Sequence, residues 1–516
     1  MAAASGFAAQ GDGILRAKVV WVVDELRRCQ SANGDGWIFG IPPRYLDLVA
    51  RGQAVWAPQY TLHKTLMGLW EAWRLLGLVP ARDALFAAAE WFNRWSASLD
   101  QATWDRVLDN EVGGMLEVWT DLAEATGDPA HRALAHRYHR AHLFPALRAR
   151  HAVLGDRHAN AMLPEVIGAL RAEAVFGGEP WTGIADGFEA LRTDLGEWVT
   201  GGQSAGELWT PPGELAARVG AVTQEHCVAY NLARLAELRF RRDGSSAELD
   251  RIELLTWNGL LAQQHPQHGT PTYMLPLGVG GRKTWGSDTG HFWCCHGSQV
   301  QAQASHGERL AWRHPEGLVL GGWFPATVRW DQGGVAVELT ITDADADHDI
   351  FAPHLPQPPA RRPRRAAFTL RVRCAAPTRF TLFLRLPAWL AGPAVIHLPD
   401  GRHEATGPGF VALTRDWHQN EIRIELPQRL DAVPLPGDPE RCALREGPHV
   451  LAALCDDERC LHLDPADPGQ HIEPCEERAF GQWQRRWRLR GHERGLRFLP
   501  LHEIVDETYS VYLPMG

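Results

Sequence analysis

Lysine is nearly missing from this 516-residue chain. Only Lys18, Lys64 and Lys283 occur, and arginine supplies the rest of 52 basic residues against 62 acidic ones. A net charge of −10 with no lysine-rich run excludes a protein that holds nucleic acid or an anionic membrane by electrostatics. No stretch of about 20 apolar residues occurs, so no membrane-spanning helix is predicted. The start, MAAASGFAAQGDGILRAKVV, lacks a basic segment followed by an apolar one, so no secretory leader is predicted and a cytoplasmic location is expected. Nine cysteines, an odd number in a chain of this length, exclude a disulfide scaffold. In a reducing compartment these thiols are core residues, ligands or nucleophiles.

What is present reads as a globular protein. Hydrophobic residues make up 45% and charged residues 22%. At roughly 150 residues per domain, two to four domains are expected. Arginine in place of lysine, with much Ala, Gly and Pro, matches a GC-rich bacterial coding sequence. Tryptophan is abundant at 22 against 7 tyrosines. Indole faces stack on sugar C–H surfaces, but composition alone favours ordinary core aromatics.

The first 310 or so residues carry helical periodicity. Tyr60 to Leu76 places Leu62, Leu66, Leu69, Trp70 and Trp73 on one face. Asn110 to Thr126 does the same and stops at Gly127-Asp128-Pro129. Further helices are predicted near 14–29, 82–97, 130–149, 160–176, 182–198, 224–241, 247–264 and 298–312. Helical hairpins with no strand pattern between them predict a helical toroid or solenoid; no fixed repeat period is found. Past Arg313, VAVELTIT, AAFTLRVRC, RFTLFLRLPAWL and EIRIELP alternate as strands do. Residues 313–435 therefore read as a β-sandwich, with a Pro/Arg loop exposed at 354–365. Residues 436–516 read as a further β region, packed on the sandwich or on the helices.

Four segments carry chemistry. Cys294-Cys295 in HFWCCHGSQ can both reach one metal ion, or one can bind while the other attacks. Two small residues at a helix start are the bland alternative. His291 and His296 flank the pair. Glu225-His226-Cys227 opens a predicted helix, where Glu225 and Cys227 can converge on one ion at the N-terminus. The combined set of three sulfurs and one oxygen suits a borderline-soft ion, with Zn2+ the natural choice; a buried cysteine beside a capping glutamate is the alternative. His63 and His158 lie on or beside apolar helical segments and are most simply structural. Asn160 and Asn231 offer amides to sugar hydroxyls, or caps. Glu207, in AGELWTPPGEL, is a loop carboxylate beside a tryptophan, suited to a general acid if it lies in a cleft.

Together these segments resemble a known family, the DUF1680 group. It includes the β-L-arabinofuranosidases of glycoside hydrolase family 127 and the related family 146. WAPQYTLHKTLMGLWEAW, DNEVGGMLEVWTDLAEATGD, DRHANAMLPEVIGA, GELW, EHCVAYNLARLAEL, WNGLLAQQHPQHG, FWCCHGSQ, FLRLPAWL and LREGPHVLAAL run in the family's order over nearly the whole chain. The resemblance implies an (α/α)6 barrel over 1–312 followed by β-sandwich domains. It also implies retaining hydrolysis of a glycoside or oligosaccharide, with a homodimer admissible. Cys294 would be the nucleophile, with Glu225, Cys227 and Cys295 the other zinc ligands. Glu207 would be the acid/base, and His63, His158, Tyr273 and Asn231 would contact the sugar. Relatives carry more chain ahead of the YTLHK helix than the 59 residues here, which predicts a barrel with one side open. Two alternatives stand beside β-L-arabinofuranoside hydrolysis: action on another furanosidic or pectin-derived sugar, and a non-catalytic carbohydrate-binding protein stapled by zinc.

Overall fold

A computed structural model describes residues 1–344, 361–479, 482–492 and 494–516. Fifteen α-helices lie between Ala2 and Ala304, and strands follow from Ala311. Six of these helices form a closed inner ring. Ala2–Gln10 packs on Pro58–Leu76, which packs on Met115–Thr126, and this on Ala159–Phe176. The ring continues through His226–Asp243 to Cys294–Ala304, which returns to Ala2–Gln10. The first five are each backed by the helix that follows in the chain: Gly13–Asn33, Val79–Ala97, Pro129–Arg137, Ile184–Leu195 and Ser246–Leu255. The sixth leads directly into the β region.

The expected gap in the ring is therefore absent. Ala2–Gln10 fills it, and its sequence, AAASGFAAQ, shows why it gave no helical signal. It has no large apolar stripe, because it packs by small residues: Ala4 and Ser5 are buried, and Gln301 donates to Ser5 Oγ at 3.2 Å. The helix expected at 130–149 is two, Pro129–Arg137 and Phe144–Arg148. The stop at Gly127 is as predicted: its φ of 64° closes one helix, and Asp128 caps the next by accepting from Ala130 N.

Half of the 22 tryptophans are buried in the core. Trp104, Trp119, Trp181, Trp198, Trp209, Trp417 and Trp487 are fully buried, whereas Trp56 is 93% exposed. Among the described residues no helix is long and apolar enough to cross a membrane.

The strands read separately at 366–374 and 379–390 are one, Arg365–Leu386. It pairs antiparallel along its length with Gly409–Pro427, with one irregularity between Trp417 and Gln419. Its first half also pairs with Val335–Asp343, and its second half runs parallel to Gly317–Leu320. One long strand thus serves two flanking partners. A second sheet, running from Leu430–Leu435 through Asp438–Glu446, includes a strand placed in sequence before residue 436. Its core residues Ala443, Val450, Tyr509 and Tyr512 cluster with Trp198, Leu275 and Leu277 of the helical part. Residues 354–360 of the expected Pro/Arg loop lie outside the described residues. Within the rest of that segment Arg362 is not exposed; it is buried in an ion pair with Glu446 at 2.9 Å.

The entry to the Pro58–Leu76 helix is held by Glu111. Its Oε2 accepts from Tyr60 N at 3.0 Å, and its carbonyl accepts from Gln59 at 2.7 Å. Burial raises this carboxyl from 4.5 to about 7. Between those values the folded chain binds more protons than the unfolded chain, so the group costs stability as pH rises from about 4.5 to about 7. Glu111→Gln should flatten that decline by up to about 3 kcal/mol. Thermal unfolding of both proteins from pH 5 to pH 8 checks this; parallel pH profiles would rule it out.

Candidate active site

The N-terminal ends of four inner helices supply the site. Glu225 is the residue ahead of His226–Asp243, and Cys227 lies in that helix's first turn. Cys294 and Cys295 open Cys294–Ala304. Helix N-termini present unpaired N–H groups and favour negative charge, so both segments suit thiolate and carboxylate. Glu225 is fixed before its side chain is considered. Its N–H donates to Ser204 Oγ at 3.0 Å, and buried Gln224 ahead of it adopts a left-handed φ of 47°.

The two segments meet. One donor atom from each of Glu225, Cys227, Cys294 and Cys295 falls within 4.8 Å of all the others. Cys227 Sγ lies 3.4 Å from Cys295 Sγ, and Cys294 Sγ lies 3.9 Å from Glu225 Oε1. Glu225, Cys227 and Cys295 are buried; Cys294 alone is partly open. Burial pushes the Cys227 and Cys295 thiols and the Glu225 carboxyl well up, while hydrogen bonds from Cys227 and Cys295 hold Cys294 far down. Four protonatable donors in one dry space share little negative charge unless a cation joins them. Glu225 Oε2 is buried without a hydrogen-bond partner. The set fits a metal ion by count, by chemistry and by that orphaned oxygen.

Glu207 comes from elsewhere. It sits at the tip of a two-residue turn between Ser204–Ala205 and Leu208–Trp209, with Gly206 and Glu207 both left-handed at φ 55° and 70°. A non-glycine residue in that region is uncommon and marks a constrained position. The tip is docked: Ala159 N donates to Glu207 O at 2.9 Å, which lays the turn on the start of the Ala159–Phe176 helix. His158, the cap of that helix, places Nε2 3.6 Å from Glu207 Oε2. The Tyr273 hydroxyl donates to Glu207 Oε1 and lies 3.5 Å from Cys294 Sγ. Burial raises this phenol, so it stays protonated as a donor. One hydroxyl thus touches both the loop carboxylate and the open thiol.

The other sequence candidates fall into two groups. Asn231 is buried and donates to Asn160 Oδ1 at 2.8 Å, and Asn160 in turn reaches the Tyr60 hydroxyl at 3.5 Å. His63 is buried, 2% exposed, with its ring under Gly113 and Gly114 and edge-on to the Tyr60 ring at 5.2 Å. A Cβ on Gly113, whose φ is 58°, would come within 2.5 Å of His63 Nδ1, so this crossing requires glycine. Nor do His291 and His296 join the cysteines. His291 stacks on Trp293 at 4.5 Å, and His296 meets Ser287 O at 3.2 Å, bracing the loop ahead of the pair.

Two contributors went unread in the sequence. Tyr60 lies one turn before His63 on the same helix, a spacing that was available as a signal. Ser298 lies four residues after Cys294 and places Oγ 3.0 Å from Cys227 Sγ and 3.2 Å from His226 Nδ1.

Comparison with known proteins gives the helical ring, with its Glu/Cys3 cluster and nearby loop carboxylate, its class: a glycoside hydrolase. Residues 1–308 match the model of the β-L-arabinofuranosidase GH127 catalytic domain, and the chain belongs to that family. No curated protein sequence matches it. Among solved structures it is similar to the GH127 β-L-arabinofuranosidase Ara127N of Geobacillus stearothermophilus T6. The TM-score is 0.75 at 15% identity, over 100% of this chain and 89% of that one. A second GH127 β-arabinofuranosidase gives 0.73 at 15% identity, over 100% and 87%. A structure described as a glycoside hydrolase gives 0.70 at 14% identity, over 100% and 90%.

Proposed function

We propose that this glycoside hydrolase is a retaining β-L-arabinofuranosidase in which Cys294 is the nucleophile and Glu207 the acid/base. The observation that carries the reading is the Tyr273 hydroxyl, in contact with both groups, beside the one thiol of the cluster that is open to the cleft. Glu225, Cys227, Cys294 and Cys295 would hold Zn2+, the ion that three sulfurs and one oxygen suit. Zinc, when bound, keeps these thiols deprotonated near neutral pH and lowers the energy of the sulfur as a leaving group.

The residues then act in two steps. Cys294 sulfur attacks the anomeric carbon, the glycosidic C–O bond breaks, and Glu207 gives its proton to the departing oxygen. Water next attacks the same carbon, Glu207 takes the water's proton, and the C–S bond breaks to restore the thiolate. Two inversions give net retention. Tyr273 orients Glu207, and His158 flanks the same carboxylate on its other oxygen. Tyr60, Asn160 and Asn231 offer a chain of polar groups to sugar hydroxyls.

The roles separate by leaving group. Glu207→Ala should lower kcat/KM about 10^2- to 10^4-fold on a poor leaving group such as an alkyl or sugar alcohol, and much less on a nitrophenolate that departs unprotonated. Rates across a series of aryl and alkyl β-L-arabinofuranosides test this. Equal losses throughout would remove Glu207 from the acid role. The same series made with other furanosides tests the sugar assignment.

A further inference from the structure

Beside the site lies a cavity of about 770 Å3 that the two catalytic groups do not use. Its near end is formed by Tyr273 and Trp293, and its far end by Arg441 and Glu458 of the C-terminal β region. We infer that this cavity is the leaving-group subsite, built to hold a saccharide chain of two or more units attached to the furanoside; this inference rests on the reading above.

Four observations support it. First, the position is on the side where the leaving group must depart. Tyr273 bonds Glu207 and also lines the cavity, so the cavity reaches the residue that holds the proton donor. Second, the walls are tied to the same turn. Gly206 N donates to Val222 O at 2.8 Å, which couples the 219–222 wall to the Glu207 tip.

Third, the floor is backbone held from behind. Gly278, Gly280 and Gly281 line it. A Cβ at Gly280 would meet Asp456 O at 2.8 Å and one at Gly278 would meet Gly220 Cα at 3.0 Å, so this floor is tightly backed. Gly280 N donates to Ser510 Oγ at 3.0 Å, and buried Lys283 donates to the carbonyls of Leu501 and Ile504. The C-terminal region thus fixes the floor.

Fourth, the chemistry suits a sugar. Trp293 and Val222, the latter 54% exposed, give apolar faces at the inner end. Arg441 Nη2 and Glu458 Oε1, paired at 2.8 Å, give donors and acceptors at the outer end. An apolar face with a few placed polar groups is the usual composition of a small-molecule site, and the volume lies within the ~300–1,000 Å3 such sites occupy.

The test uses the full chain and two substrates: 4-nitrophenyl β-L-arabinofuranoside, which does not extend into the outer cavity, and a trisaccharide ending in a β-L-arabinofuranosyl unit. Glu458→Ala and Arg441→Ala, which remove the polar pair at the outer end, should each lower kcat/KM on the trisaccharide about tenfold or more, through KM. Rates on the aryl glycoside should stay within about twofold. Equal losses on both substrates, or none on either, would overturn the inference. Cleavage of neither substrate by the wild type would instead defeat the arabinofuranosidase reading. In that case calorimetry with arabinotriose decides on the cavity alone: saturable binding weakened about tenfold by Arg441→Ala sustains it, and no saturable binding, or binding that the variant leaves unchanged, overturns it.

Discussion

Cys294→Ser is expected to abolish turnover, lowering kcat by about 10^4-fold or more, while the protein still folds and binds substrate. The argument is one of position. Of the four clustered donors, Cys294 alone is open to the cleft, and it stands 3.5 Å from the hydroxyl that also bonds Glu207. A serine hydroxyl keeps the shape but is a far weaker nucleophile, and it is not drawn into anionic form by its neighbours as the sulfur is. Steady-state rates, circular dichroism and calorimetric binding of substrate together make the check. Retained activity would remove the nucleophile assignment, whereas loss of folding would shift the residue's role to structure.

Cys227→Ala should act differently. Its sulfur is buried, faces Cys295 and Ser298, and does not reach the cleft. The variant should lose bound zinc and activity together, and should lose stability by several kcal/mol, because metal binding to a preformed site is coupled to folding. A strong chelator applied to the wild type should reproduce the effect, and added Zn2+ should restore both activity and melting temperature in the wild type but not in the variant. Elemental analysis alongside thermal unfolding reads all three. Full activity in a protein shown to be free of metal would end the metal proposal while leaving the family assignment intact.

Much of this was legible in the chain because it depended on local pattern. The helix stop at Gly127-Asp128 needed only glycine's left-handed freedom and an aspartate cap, and the strand texture past Arg313 needed only alternation. Glu225 and Cys227 beside Cys294-Cys295 were readable as donors because few other roles gather three thiols and a carboxylate at two helix starts. What was not legible depended on contact at a distance. The first helix closes the ring with alanine and serine, so it shows no stripe. The resemblance implies that His63 contacts sugar, and nothing in its own segment shows that two glycines of another segment lie across its ring. Arg365–Leu386 reads as two strands because its burial pattern changes where its flanking partner does. The meeting of Tyr273 with Glu207, 66 residues away, leaves no mark in either segment.

The turn that carries Glu207 has one more consequence. The carboxylate rides on a two-residue tip, whereas the thiols are anchored in helices that are part of the ring itself. Under the roles proposed above, the two halves of the chemistry thus rest on different kinds of support. Ser204, in the strand that leads to the tip, also holds Glu225 N, so a change in the length of the turn would be felt at the cluster, whereas a change at the tip side chain would not. Under those proposed roles, removing the tip's carboxylate alone would leave a protein still able to accept a sugar from an activated donor, and therefore a starting point for a catalyst that joins sugars to new acceptors.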